Sequence, residues 1–243
     1  MTTTDEILAL AASAASNSGA NPEAIAGAVD VRDADMAAFS QAAARGAGSA
    51  VVRALLAARP AAEPGAPPSA TPLGDPAWNA WLAAAAAATS DATWTPELKA
   101  GPIRPAWSAI FAVGAALAGP SENLRAGVTV PVAVATGMRA AAVIESGLAE
   151  WGGWSSGTIA ATIGSTVTAS LLLGLTQPQL RAALGISATQ AAGLLAAEGT
   201  SAYALQIGKA AFNGAEAALL ARSGLTAPDE PLDGRRGLFA LFG

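Results

Sequence analysis

Cysteine and histidine are both absent from this 243-residue chain. Without cysteine there is no disulfide framework, no thiolate metal site, no iron–sulfur cluster and no thiol nucleophile. Without histidine the Ser–His–Asp relay, the common zinc and non-haem iron sites and any imidazole acid–base step are excluded. Charge is scarce as well: 13% of residues are Asp, Glu, Lys or Arg, against about 25% in an ordinary domain. Lysine occurs twice, at Lys99 and Lys209, and the net charge is −5. An acidic chain so poor in lysine is not a nucleic-acid binder.

Long hydrophobic runs are missing too. The longest stretch without a polar break is Ala109–Gly119, well short of the roughly 18–20 residues a membrane span needs. The N-terminus carries Asp5 and Glu6 and no basic residue before Arg32, the wrong sign for a signal peptide. These features predict a cytoplasmic protein that does not engage membranes.

What is present is alanine, the strongest helix former, in 67 positions, with little strand-type alternation. The expected fold is therefore an all-α, Ala-rich multi-helix bundle. Thr4 reads as an N-cap, with Asp5 and Glu6 in the first turn of a helix running to about Ala15. Pro22 and Glu23 open a short second helix, and a longer one covers about 34–58 with Gly46 and Gly48 as breakers. Six prolines between Pro60 and Pro76 rule out helix there. Residues 1–59 are accordingly read as N-terminal helices, 60–76 as a linker or extended wrap, and 77–243 as the helical core, with 1–59 joined to that core.

Further helices are expected over 77–88 and from Pro105 to about Gly119. Another runs from Ser121 towards Glu150 with a kink at Pro131. The nearly uncharged stretch 158–173 has to be buried on every side. A helix capped by Thr176 closes at Gly185, and a last one spans about 206–223 before Gly224.

The order of motifs in the second half resembles the helical domain of the MmgE/PrpD family. Gly208-Lys209-Ala210-Ala211, Asn213-Gly214, Gly224-Leu225-Thr226-Ala227-Pro228 and Gly237-Leu238-Phe239 follow the family order. Leu172-Leu173-Gly174-Leu175, Gln190-Ala191-Ala192-Gly193-Leu194 and the D-A-T-W-T-P loop at 91–96 do so as well. The likeness covers about two-thirds of the chain, from Asn79 onward; residues 1–78 share only its helical, Ala-rich character. It implies a dimerising helical domain, cofactor-independent dehydratase, decarboxylase or epimerase chemistry on small polycarboxylates, and an α/β lid domain that would begin where this chain stops.

Several positions depart from that pattern. Asp91 keeps one acid of a pair whose neighbour is Ala92, and Lys99 falls near a histidine position. Ser155, within Gly153-Trp154-Ser155-Ser156-Gly157, stands for a second histidine. Tyr203 and Gln206 replace a lysine and a third histidine. Lys209 belongs to the helix signature and is set apart from the active-site lysine. Holding a tricarboxylate requires several cations and a group titrating near neutrality, so citrate-like acids are not the expected substrates.

Candidate catalytic residues are Asp91, Lys99 and Tyr203, and candidate substrate contacts are Trp94, Trp154, Ser155, Ser156 and Gln206. Each also has a plain reading: Asp91 and Lys99 in a solvated loop, Tyr203 in a core or interface. The loop 152–158 lies before a helix but lacks the lysine of a phosphate loop. Tryptophans 78, 81, 94, 107, 151 and 154 either line an apolar ligand site or cover a surface meant for a lid. Glu122, Glu145 and Glu150 read as solvated helix positions.

Two classes of function stay open at this level, and a bare ligand-binding protein shares the pocket argument of the first. One is a divergent lyase or isomerase acting, without metal or cofactor, on a small, less charged organic substrate by elimination, isomerisation or cyclisation. The other is a non-catalytic homologue (a pseudoenzyme) serving as dimerisation or regulatory partner of a full-length or split paralogue. Either way a homodimer or a heteromer with such a paralogue is expected, since an open apolar surface on a weakly charged chain aggregates as a monomer.

Overall fold

The computed structural model describes residues 1–16, 31, 33–58, 75–90, 105–118, 127–148 and 152–241. Among them are nine α-helices and no strand: α1 (Thr3–Ser16), α2 (Asp33–Gly46), α3 (Ala50–Ala58), α4 (Pro76–Thr89), α5 (Ser108–Leu117), α6 (Val130–Gly147), α7 (Ser156–Leu172), α8 (Gln177–Ala188) and α9 (Ser201–Arg222). Helix α7 is the axis of the bundle. It packs on α5, α6, α8 and α9, while α4 bridges α9 to α2 and α5. Every residue from Thr158 to Leu172 is buried, as its uncharged sequence predicted.

Burying a helix on all sides requires its neighbours to come very close. At the α6–α7 crossing glycine meets glycine: a Cβ on Gly164 would lie 2.6 Å from the Gly137 carbonyl oxygen, and one on Gly137 would lie 2.5 Å from the Gly164 oxygen. Gly214 of α9 meets α7 in the same way, 2.8 Å from the Thr166 nitrogen. The hydroxyls buried inside α7 are partly satisfied within the helix. Thr162, Thr166 and Thr168 donate to the carbonyls of Thr158, Thr162 and Gly164 at 3.1, 2.9 and 3.1 Å, and Thr168 also reaches the Ala133 carbonyl of α6 at 3.2 Å. Such back-bonding hides polar groups in an apolar setting without a partner chain.

The N-terminal helices lie on this bundle. Helix α1 packs on α6 and α8, α2 on α4 and α5, and α3 on α4 and α9. Helix α1 is capped two residues earlier than expected: Thr2 and Asp5 exchange backbone and side-chain hydrogen bonds at 3.2 and 3.3 Å. Thr4, the expected cap, is instead fully buried and donates its N–H to Asp233 at 3.1 Å. Arg181 of α8 binds Asp5 at 3.0 Å and the Asp229 carbonyl at 2.8 Å. The first turn of the chain is thus tied to α8 and to the C-terminal turns.

Other boundaries differ from the sequence reading for local reasons. Pro131 does not kink a long helix: α6 begins at Val130 after Gly127, whose φ is +65°, so the proline sits in a first turn that needs no N–H from it. Helix α8 continues through Gly185 to Ala188, because Gly185 packs against Ala227 rather than ending the helix. Helix α9 starts five residues earlier than expected, at Ser201, where the Thr200 hydroxyl accepts from the Ala202 N–H at 3.2 Å. The break at Gly46–Ser49 between α2 and α3 and the stop at Gly224 (φ +97°) match expectation. The expected helix at Pro22, most of the proline-rich segment and the expected helix start at Ser121 lie outside the described residues.

Two outcomes test this packing. Gly164→Val forces α6 and α7 apart and should cost about 1–3 kcal/mol, the usual toll of overpacking, read as a lower midpoint in urea; an unchanged midpoint refutes the contact. The Arg181 guanidinium, by hydrogen bonding, holds the Asp5 carboxyl below its ordinary value of 3.8. A depressed carboxylate stabilises the fold above its unfolded pKa and loses that contribution as pH falls through the folded one. Wild-type protein should therefore melt above Asp5→Asn at neutral pH, with the gap closing as pH drops below 3.8.

Candidate functional site

Two loops meet at the N-terminal end of α7. Ser155 caps the helix: its Oγ accepts from the Thr158 N–H at 3.4 Å, and the two hydroxyls are hydrogen-bonded at 2.8 Å. The loop carrying it is zipped to the segment before α9. Ser155 N–H donates to the Gly193 carbonyl at 2.9 Å and Leu195 N–H to the Gly153 carbonyl at 2.8 Å, around a single antiparallel bridge between Trp154 and Leu194. Residue 193 has no room for a side chain, since a Cβ there would lie 2.8 Å from that of Thr158.

Gln206, on the second turn of α9, locks the zipper. Its Oε1 accepts from the Leu194 N–H at 3.0 Å, and its Nε2 donates to the Leu194 carbonyl at 3.3 Å and to Thr158 Oγ1 at 3.4 Å. Ser155 and Gln206, which the family resemblance places at two altered histidine positions, are therefore brought together through Thr158. Their polar atoms hold the loops. Ser156 donates to Glu145 at 3.5 Å, and Glu145, expected to be solvated, is half-buried.

Beside the zipper a groove of about 450 Å³ runs between the start of α7 and the face of α9. Trp154, Leu194 and Leu205 form its rim, with Gln190, Gln206, Lys209 and Asn213 among its walls. Lys209 is the one ionisable residue lining it among those described. Its ammonium lies 4.0 Å from the ring centre of Phe212 and 4.8 Å from that of Trp81, within the range of cation–π attraction. Burial pushes its pKa below the ordinary lysine value, while Glu216 opposes that shift. Asn213 is 5% exposed. It donates through Nδ2 to the Gln190 carbonyl at 3.1 Å, and its Oδ1 is buried with no hydrogen-bond partner.

Tyr203 lies one turn before Gln206 on α9 but is not among the residues lining the groove. It is half-buried and packs against the core. Burial, and then Glu198, pushes its hydroxyl pKa above the ordinary value. Asp91, Trp94, Lys99 and Trp151 lie outside the described residues, as do Glu122 and Glu150. The described tryptophans do not share one pocket. Trp78 and Trp81 stack edge to face at 5.2 Å beside Leu55, Trp107 packs on the core, and Trp154 alone reaches the groove, 44% exposed. Lys209 and Asn213 were missed as site residues because their motif reads as a helix signature. Their signal was the four-residue spacing from Leu205 to Lys209 to Asn213, which places them along one side of a helix.

No group of three or more Asp or Glu residues that could hold a metal ion occurs among the described residues, and no helix among them is long and apolar enough to cross a membrane. The site thus defines a class: an all-helical domain with a groove between a capped central helix and a neighbouring Gly-Lys-Ala-Ala helix. Residues 6–243 match the model of the MmgE/PrpD N-terminal domain, and the chain belongs to the MmgE/PrpD family. That match extends the likeness into α1, well beyond the part legible from the motifs. Cis-aconitate decarboxylase of Homo sapiens is 38% identical over 85 residues, which is 35% of this chain and 18% of the human protein.

Gln206→Leu removes the lock while leaving the helix. The Leu194 amide should then exchange with solvent about fivefold faster in wild-type-like protein, matching one hydrogen bond of about 1 kcal/mol. Unchanged exchange would mean that the zipper holds without it.

Proposed function

We propose that this chain acts on a small organic substrate carrying one negative charge and an apolar body, bound in the groove between α7 and α9. The observation that supports this reading most is the composition of the groove wall: Lys209 is its one cation among the described residues, and its rim is Trp154, Leu194 and Leu205. A tricarboxylate would bring three charges to a wall with one counter-charge, and desolvating the other two is prohibitive. A single carboxylate is matched.

In the same reading proton transfer runs through Lys209 rather than through the altered histidine positions. Its amine, with a pKa lowered by burial, is suited to take a proton from carbon and return it, the elementary step of an isomerisation or elimination. Ser155 and Gln206 are engaged with backbone and Thr158, and Tyr203 has a raised pKa. Asp91 and Lys99 remain candidates for a second proton-transfer group.

A second reading is that the chain is a non-catalytic partner of a paralogue or of a second copy. Supporting it are Trp154, Leu194 and Leu205 on the groove rim and Leu195 next to Leu194 in the chain, all 41–52% exposed, a cluster that association would cover. Light scattering and calorimetry on Leu195→Glu, an exposed leucine that does not line the groove, separate the two: loss of a dimer from a wild type that does not bind octanoate favours the partner surface, and octanoate binding that survives the substitution favours the groove as a ligand site.

Calorimetry with octanoate and with citrate tests the main reading. Octanoate should bind, citrate should not, and Lys209→Met should weaken octanoate about tenfold or more, the value of a charge-assisted hydrogen bond. Tighter binding of citrate than of octanoate would reject it.

A further inference from the structure

Lys209 stands at a border on α9. At about 100° per residue around a helix, the groove residues Asn213, Gln206 and Ala210 lie about 40°, 60° and 100° from it on one side. Leu205, at the groove rim, lies about 40° to the other side, and beyond it are Phe212 and Gly208 at about 60° and 100°. Phe212 and Trp81 do not line the groove. Gly208 makes room for the Trp81 ring, into which a Cβ there would run. Lys209 itself lines the groove, yet its ammonium is turned towards these rings, 4.0 Å from the centre of Phe212 and 4.8 Å from that of Trp81.

The ammonium is short of polar partners in that position. Among the described residues no hydrogen bond or ion pair reaches it, and burial lowers its pKa. A carboxylate offers it a charge-assisted hydrogen bond, which is stronger than a cation–π contact at a half-exposed site. The stem that carries it is a flexible four-carbon chain. Resting on the groove as an anion site, we infer that Phe212 and Trp81 are positioning residues that hold the Lys209 ammonium aside while the groove is empty, and that an anionic ligand draws it off the rings and into the groove. Platform and ligand then compete for one cation. The apparent affinity is the intrinsic one reduced by the fraction of molecules whose ammonium is free, so rings outside the groove set how tightly it binds. A neutral ligand gains nothing from the movement and is indifferent to the platform.

Calorimetry with octanoate and its neutral isostere octanamide, on wild type, Phe212→Leu and Phe212→Tyr, tests this. Loss of one ring face should tighten octanoate about two- to fivefold, the worth of one cation–π contact at such a site, and leave octanamide unchanged. Phe212→Tyr, which keeps a ring, should match the wild type. A merely structural role for Phe212 predicts the reverse, weaker binding of both ligands by Phe212→Leu. A second readout is the NMR signal of isotope-labelled lysine: the chain has two lysines, and the signal lost in Lys209→Met belongs to Lys209. Its methylene beside the nitrogen should be shifted upfield by the rings in the free protein and should move downfield as octanoate binds, which decides the matter if Phe212→Leu fails to fold. Octanoate binding that is equal or weaker in folded Phe212→Leu, or that leaves the Lys209 signal in place, overturns the platform and leaves the groove reading standing. Absence of octanoate binding by both wild type and Phe212→Leu removes the groove reading and the platform together.

Discussion

The absence of side chains where α6 crosses α7 is the constraint on which the other contacts rest. Gly137 and Gly164 let two helices approach until the backbone of one touches the space a Cβ of the other would fill. Dispersion attraction falls steeply with separation, so this close approach replaces the contribution that large side chains make in other cores. It also sets the position of α7, and α7 sets everything attached to its N-terminal end. The cap at Ser155, the zipper to Gly193 and Leu195, and the Gln206 lock all take their geometry from the position of that helix.

That position bears on the two places where the family resemblance expects imidazoles. A histidine at an active site has two tasks: to position neighbours and to move protons. Ser155 and Gln206 perform the first through hydrogen bonds to Thr158 and to the Leu194 peptide. Neither side chain is an acid or base near neutrality. In the proposed reading proton transfer falls to Lys209, whose ammonium rests against Phe212 and Trp81 and whose burial weakens its hold on the proton. Desolvation favours the neutral amine and lowers the pKa against the opposing charge of Glu216, while the aromatic faces attract the charged form.

The N-terminal helices have their own ties to this core. Arg181 and Asp233 reach the first turn of α1, joining the two ends of the described chain. The aromatic cluster of Trp78, Trp81 and Phe212 joins α4 to α9. A chain whose charged residues are few places several of them, Asp5, Arg181, Glu230 and Asp233, at this one junction.

Much was legible from residues alone. Alanine content dictated helices, the uncharged run 158–173 dictated a buried one, and the order of Gly-Lys-Ala-Ala, Asn-Gly and the following turns carried the family, because helix propensity, burial and turn chemistry are local properties. Thr200 as a cap, Pro131 in a first turn and Gly185 inside a helix were not legible, since each depends on what packs against it: the same residue types mark a stop in one setting and a contact in another. The site divides in the same way. The sequence determined which chemistries were unavailable, by lacking histidine and cysteine. Only the tertiary structure decided that Ser155 and Gln206 are holders of loops and that Lys209 and Asn213 line the groove, because the distance between residues 155, 193, 206 and 213 is set by how helices cross and not by their separation along the chain.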